Sequence, residues 1–154
     1  EAEFLGNVKQ EGGGEAPDFA PTAADVPVSN PAMDTSGTAK TQSETTIALN
    51  PTTGTLCGAW NDSFSGVTQG IGFSGFGRSI DNGLSWIDKG AVNPTTHFDY
   101  GDPSLIWRKL DGKFYYAALT NPDGLSVYRS EDDCNSFTFV AAIASGRVTI
   151  DSST

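Results

Sequence analysis

A chain of 154 residues with 19 acidic and 9 basic side chains carries a net charge of −10, which argues against nucleic acid and anionic membrane surfaces as general partners. Eighteen glycines and eight prolines, set among many Ser, Thr and Asn, favour short strands joined by turns over helices, in a length that suits one ordinary domain. No run of 18 apolar residues occurs, so no membrane-spanning helix is expected.

In chain order, Glu1-Ala2-Glu3-Phe4 resembles the junction left by a yeast secretion leader at a cloning site, and residues 1–4 are set apart from the fold. Such a route implies a secreted protein. Residues 5–40, with Gly12-Gly13-Gly14 and prolines at 17, 21, 27 and 31, have no apolar periodicity and read as an irregular leader, in which Val26-Pro27-Val28 could pair as an edge segment. A first unit, residues 41–90, then shows four strand signals: Thr45 to Leu49, Thr55 to Trp60, Gly70 to Ser79 and Ser85 to Lys89. A second unit, residues 91–144, repeats the order with Pro103 to Arg108, Lys113 to Leu119, Leu125 to Ser130 and Ser136 to Ala142. Residues 145–154 read as the start of a further unit.

The two units are related by two fixed offsets. Glu44, Ile47 and Gly54 lie 58 positions before Asp102, Leu105 and Gly112; Ser79, Asp81 and Trp86 lie 51 positions before Ser130, Asp132 and Phe137. The change of offset assigns seven extra residues to the first unit's loop Asn61 to Gly72, where insertions are best tolerated. Cys57, in a strand, and Cys134, in a turn, could form one disulfide in an oxidising compartment, although burial as free thiols or pairing outside the chain is equally open. Asn61-Asp62-Ser63 is a glycosylation sequon.

The stretch Ser79-Ile80-Asp81-Asn82-Gly83-Leu84-Ser85-Trp86 and its degenerate copy at 130–137 resemble the Asp-box, or BNR repeat, of the sialidase-like β-propellers. The resemblance implies an all-β propeller of four-stranded antiparallel blades, with this chain supplying about two blades and the start of a third. Ser79, Asp81, Gly83 and Trp86, with Ser130, Asp132 and Phe137, would then be structural, closing hairpins remote from any substrate. Propellers close with about four to eight blades. The remaining blades would come from a second chain or from a homo-oligomer.

The family places its ligand site on the face opposite those hairpins, where the loops Asn61 to Gly72 and Ala91 to Asp102 would open. The second loop gathers the only histidine, His97, with Asp99, Tyr100 and Asp102. His97 and Tyr100 are the candidate acid and base of a glycoside hydrolase or a polysaccharide lyase acting on an oligo- or polysaccharide. Asp99 and Asp102 would bind substrate, with Trp60 and Phe64 stacking on sugar rings. The bland alternative is that His97 is an exposed loop residue, Tyr100 packs on a neighbouring blade and the two aspartates cap turns. Glu44 and Asp102, at the starts of the innermost strands, are hard oxygen ligands that could hold calcium. The chain has no Arg-Ile-Pro, and its arginines match no sialidase triad position, so sialidase activity itself is not expected. A non-catalytic, lectin-like propeller and an Asp-box scaffold for protein contacts are the alternatives.

Overall fold

The computed structural model describes residues 25–34, 41–92, 97–121 and 124–143. The expected start of a further unit at 145–154 lies outside these residues. The described chain is all-β apart from one helical turn: two four-stranded antiparallel sheets, each a meander with strands in chain order. The first holds β1 (Gln42–Leu49), β2 (Leu56–Asp62), β3 (Ser74–Ser79) and β4 (Ile87–Ala91); the second holds β5 (Asp99–Arg108), β6 (Lys113–Thr120), β7 (Gly124–Ser130) and β8 (Thr138–Ile143). The two sheets do not close on themselves.

Strand boundaries follow the alternation of side chains. Along β6, Phe114, Tyr116 and Ala118 are buried while Lys113, Tyr115 and Ala117 are only half-buried, the period of two of a sheet with one covered face. β1 and β5 each begin earlier than their apolar runs indicate, because each carries an irregular kink. The register shifts between Ser43 and Thr46 in one and between Gly101 and Ser104 in the other. The third strand begins later than expected, since the long loop folds into a π-type helical turn, α1 (Phe64–Gln69), capped by Asp62, whose carboxylate accepts from the N–H groups of Phe64 and Ser65.

The core lies between the sheets. The first contributes small side chains, Ala48, Cys57 and Ala59, together with Phe76; the second contributes Leu105, Phe114, Tyr116, Ala118 and Tyr128. Tyr116 is fully buried, donates to the Gly75 carbonyl of the facing sheet at 3.3 Å, and has its phenol pKa pushed up by that burial. Cys57 and Cys134 form a disulfide between β2 and the β7–β8 hairpin, closing a sequence separation of 77 residues.

The outer face of the first sheet is built differently. Trp60 lies flat across β3, where a side chain at Gly75 or Gly77 would stand 2.5 to 3.0 Å from its ring, so only glycine fits beneath it. Residues 25–34 cross this face. Val28 packs above Gly58 and Gly77, and the Asn30 N–H donates to Asp88 at 2.7 Å. Val26-Pro27-Val28 therefore lies over the sheet and does not pair at its edge.

The repeat is visible in backbone geometry. Glu44 and Asp102 both have positive φ (53° and 51°), as do Asn82 and Asp133 (60° and 59°) and Gly83 and Cys134 (87° and 66°). Each pair is related by the 58- or 51-residue offset. Non-glycine residues rarely adopt this region, so its recurrence at equivalent positions marks two copies of one structural plan. The hairpins agree bond for bond. Ser79 Oγ donates to Asp81 at 2.8 Å and accepts from Gly83 N, and the Ser85 N–H and hydroxyl donate to the two oxygens of Asp81. Ser130, Cys134, Ser136 and Asp132 repeat the set.

Candidate functional site at the loop end

One end of the molecule collects the starts of β1, β3, β5 and β7 and the described residues next to them, among them α1, His97 and Phe98. Two polar clusters form there. The first is buried and centres on Asp99, which is 0% exposed. Ser126 donates to one oxygen of its carboxylate at 2.7 Å and Tyr128 to the other at 2.6 Å. His97 Nε2 lies 3.0 Å from Tyr128 Oη and 3.3 Å from Asp99, and its ring packs at 4.9 Å between centroids on Phe139. Burial, then the bond to Asp99, drives the Tyr128 phenol pKa up, so Tyr128 is a neutral donor at ordinary pH. This arrangement pins His97, just before β5, onto β7.

Tyr100 points elsewhere. It is 52% exposed and stacks edge-on against Phe98 at 5.6 Å, while Phe98 in turn meets Phe73 of the long loop. His97 and Tyr100, expected as an acid and base pair, thus occupy different environments, and the tyrosine that His97 hydrogen-bonds is Tyr128. Trp60 and Phe64, expected to stack on sugars, are 3% and 7% exposed, and Asp99, expected to bind substrate, has its carboxylate taken up by internal hydroxyl donors. Of the expected ligand residues, Tyr100 and Asp102 present themselves to solvent.

The second cluster surrounds Asp102. Its kinked backbone N–H donates to Asn61 Oδ1 at 2.7 Å, and Asn61 Nδ2 returns a 3.3 Å bond to its carboxylate. The close approach requires glycine at 101, where any Cβ would fall 2.1 Å from Asn61 Oδ1. The sequon asparagine is therefore engaged by the second sheet. Glu44 hydrogen-bonds Asp102, and that bond, reinforced by like-charge repulsion, raises the Glu44 pKa. Two equivalent kinks, one from each sheet, hence bring the Glu44 and Asp102 carboxyls together.

A calcium site fits poorly here. Calcium takes six to eight oxygens, and among the described residues no group of three or more His, Cys, Asp or Glu side chains converges for a metal. Sequence reasoning placed Glu44 and Asp102 at equivalent positions but missed Asn61 as the clamp between them and Tyr128 as the partner of His97. Asn61 carried only the sequon signal, and Tyr128 sat in a strand with no motif. Comparison with protein-family models, with characterised proteins and with solved structures finds no match to this chain.

Proposed function

We propose that this chain is part of a secreted, carbohydrate-active β-propeller enzyme, its two sheets being successive blades and its substrate an oligo- or polysaccharide approaching the loop end. The observation that carries the reading is the meeting of Glu44, Asn61 and Asp102, two residues along β5 from exposed Tyr100. Cleavage of a glycosidic bond, by water or by elimination next to a uronate, needs acid and base groups at the bond, and two adjoining carboxyls, with the Glu44 pKa raised by Asp102, are groups of that kind. Asn61 orients Asp102, and Tyr100 on Phe98 offers an aromatic platform for a sugar ring. The two carboxyls adjoin each other, so they act at one point of the site. Hydrolysis needs a second carboxylate about 5 to 9.5 Å away, which a further blade would supply. His97 serves as a positioning residue through Tyr128 and Asp99. The inter-sheet disulfide favours an oxidising, extracellular setting.

The test is turnover on a panel of neutral and uronate-containing glycans, read both as new reducing ends and as the ultraviolet absorbance of an unsaturated uronate. Activity that falls by roughly 10² to 10⁴ in Glu44→Gln and Asp102→Asn, with the fold intact, is the expected result. Unchanged turnover in both variants would remove the pair from the machinery. Binding without turnover, lost in Tyr100→Ala, would favour the lectin-like reading that the exposed Tyr100–Phe98 stack also supports.

A further inference from the structure

Because the sheets are two copies of one plan, each residue in the interface between them has an equivalent on an outer face. The covered face of the first sheet, with Ala48, Cys57, Ala59, Phe76 and Arg78, corresponds to Ile106, Tyr115, Ala117, Val127 and Arg129 on the open face of the second. There a shallow groove of about 370 Å³ runs over Ile106, Ala117 and Val127, with Ile106 54% exposed. The covered face of the second sheet, with Leu105, Trp107 and Phe137, corresponds to Ile47, Leu49 and Trp86 on the outer face of the first. Ile47 and Leu49 are 59% and 50% exposed, and Ile47 lines a groove of about 480 Å³ together with Val28, Trp60 and Trp86. Phe114, Tyr116 and Tyr128 have Leu56, Gly58 and Gly77 as equivalents, where Val28, Trp60 and Trp86 supply the bulk, so Ile47 and Leu49 beside them are what the first sheet's outer face leaves for a partner.

We infer that these two outer faces dock on one another between copies of this chain, head to tail, repeating the packing that joins the sheets within it.

Two details of the internal joint have matching equivalents. Cys57 bonds Cys134 inside the chain; 58 positions after Cys57 stands Tyr115, and 51 positions before Cys134 stands Gly83, a bulky residue facing one with no side chain. Arg78 meets Asp133 at 3.6 Å; their equivalents are Arg129 and Asn82, a donor and an acceptor. On the open face of the second sheet Arg108, Lys113 and Arg129 pair with Asp111 and Glu131, so the apolar residues between them, and not a net charge, make the contact. A head-to-tail contact is heterologous, so it closes as a ring or runs on as a filament. With two sheets per copy, a ring of roughly four to eight sheets takes about two to four copies.

The decisive experiment copies the native disulfide onto the proposed joint. Chains carrying Tyr115→Cys are mixed with chains carrying Gly83→Cys, each checked for native near-ultraviolet dichroism, and oxidised. The position-83 substitution is tolerable because Cys134 already adopts positive φ at the equivalent site. The expected product is a crosslinked pair between the two variants and none within either alone, with native mass spectrometry of the wild-type chain showing multiples of 16.1 kDa and Val127→Glu reverting to single chains. A wild-type chain that stays monomeric, that associates only with an unrelated polypeptide, or whose oligomer survives Val127→Glu without the crosslink would overturn the inference. The inference stands on the sheet faces alone, so the crosslink reads the same whether or not any glycan is turned over.

Discussion

The β3–β4 hairpin and the β7–β8 hairpin share one set of internal hydrogen bonds and differ in nearly everything outside it. The second is locked to the first sheet. Cys134 is bonded to Cys57; the Asp133 carboxylate accepts from Asn50, Thr53 and Thr55 at 2.5 to 3.0 Å; and Phe137 sits edge-on against Phe76 and Tyr116 in the core. The first hairpin carries Gly83 and Asn82 at the positions of Cys134 and Asp133. Its Ile80 and Leu84 are 62% and 74% exposed, and its Trp86 lies on the outer face. Local bonding thus specifies the turn, while the neighbouring sheet decides whether the turn becomes a joint. The same eight-residue pattern is a finished contact in one copy and an open one in the other.

Breaking the disulfide tests that contrast most severely. A cross-link closing a loop of this size stabilises by about 3 to 5 kcal/mol, chiefly by restricting the unfolded chain. Cys57→Ser/Cys134→Ser should lose that amount in urea unfolding, and a reductant should do the same to the wild type; a loss well under 1 kcal/mol would mean that the aromatic core and Asp133 hold the sheets without it. A smaller effect separates Asp133 from Asn82. Asp133→Ala removes the acceptor of three side-chain donors, with an expected loss of about 1.5 to 3 kcal/mol, whereas Asn82→Gly, at an exposed position of the same backbone conformation, should change stability by a few tenths. Equal losses would show that the two positions do the same local work and that the inter-sheet latch is incidental.

The sequence shows clearly what is local and periodic. Eight strands in two like-ordered sets, the Ser–Asp–Ser hairpins and the extra loop length at 61–72 all follow from spacing, because turn chemistry and alternation need only neighbours in the chain. The pairing of Cys57 with Cys134 was open, since it depends on how the sheets face each other. The site was legible in position and obscure in chemistry. The offset made Glu44 and Asp102 equivalents, yet their hydrogen bond arises from two kinks that no composition signals. His97 draws notice as the only histidine, but its partner Tyr128 lies 31 residues away and meets it only when β7 pairs beside β6. A sequence pattern finds residues that share a turn more readily than residues that share a sheet face.

The smallest effect contrasts the carboxylates of the finished hairpin with those of the loop end through pH. Burial opposes ionisation of Asp132, but the hydroxyl and N–H of Ser136, then Ser130, outweigh it and hold its pKa near 2, below the usual 3.8. A group depressed in the folded state adds stability that is complete above its unfolded pKa and lost as pH falls through the folded one, so Asp132 weakens the fold on acidification from about 4 to 2. Glu44 has the opposite sign. Its pKa is raised by Asp102, so whatever it adds is present below the ordinary 4.5 and disappears as pH rises through the folded value. Asp132→Asn should therefore flatten the acid limb of the unfolding curve, and Asp102→Asn should leave that limb in place while returning the Glu44 side-chain carboxyl, followed by NMR, to the normal titration range. If Glu44 titrates normally in the wild-type chain, the two kinks do not bring the carboxyls together in solution, and the Glu44–Asp102 pair on which the glycan reading rests is absent.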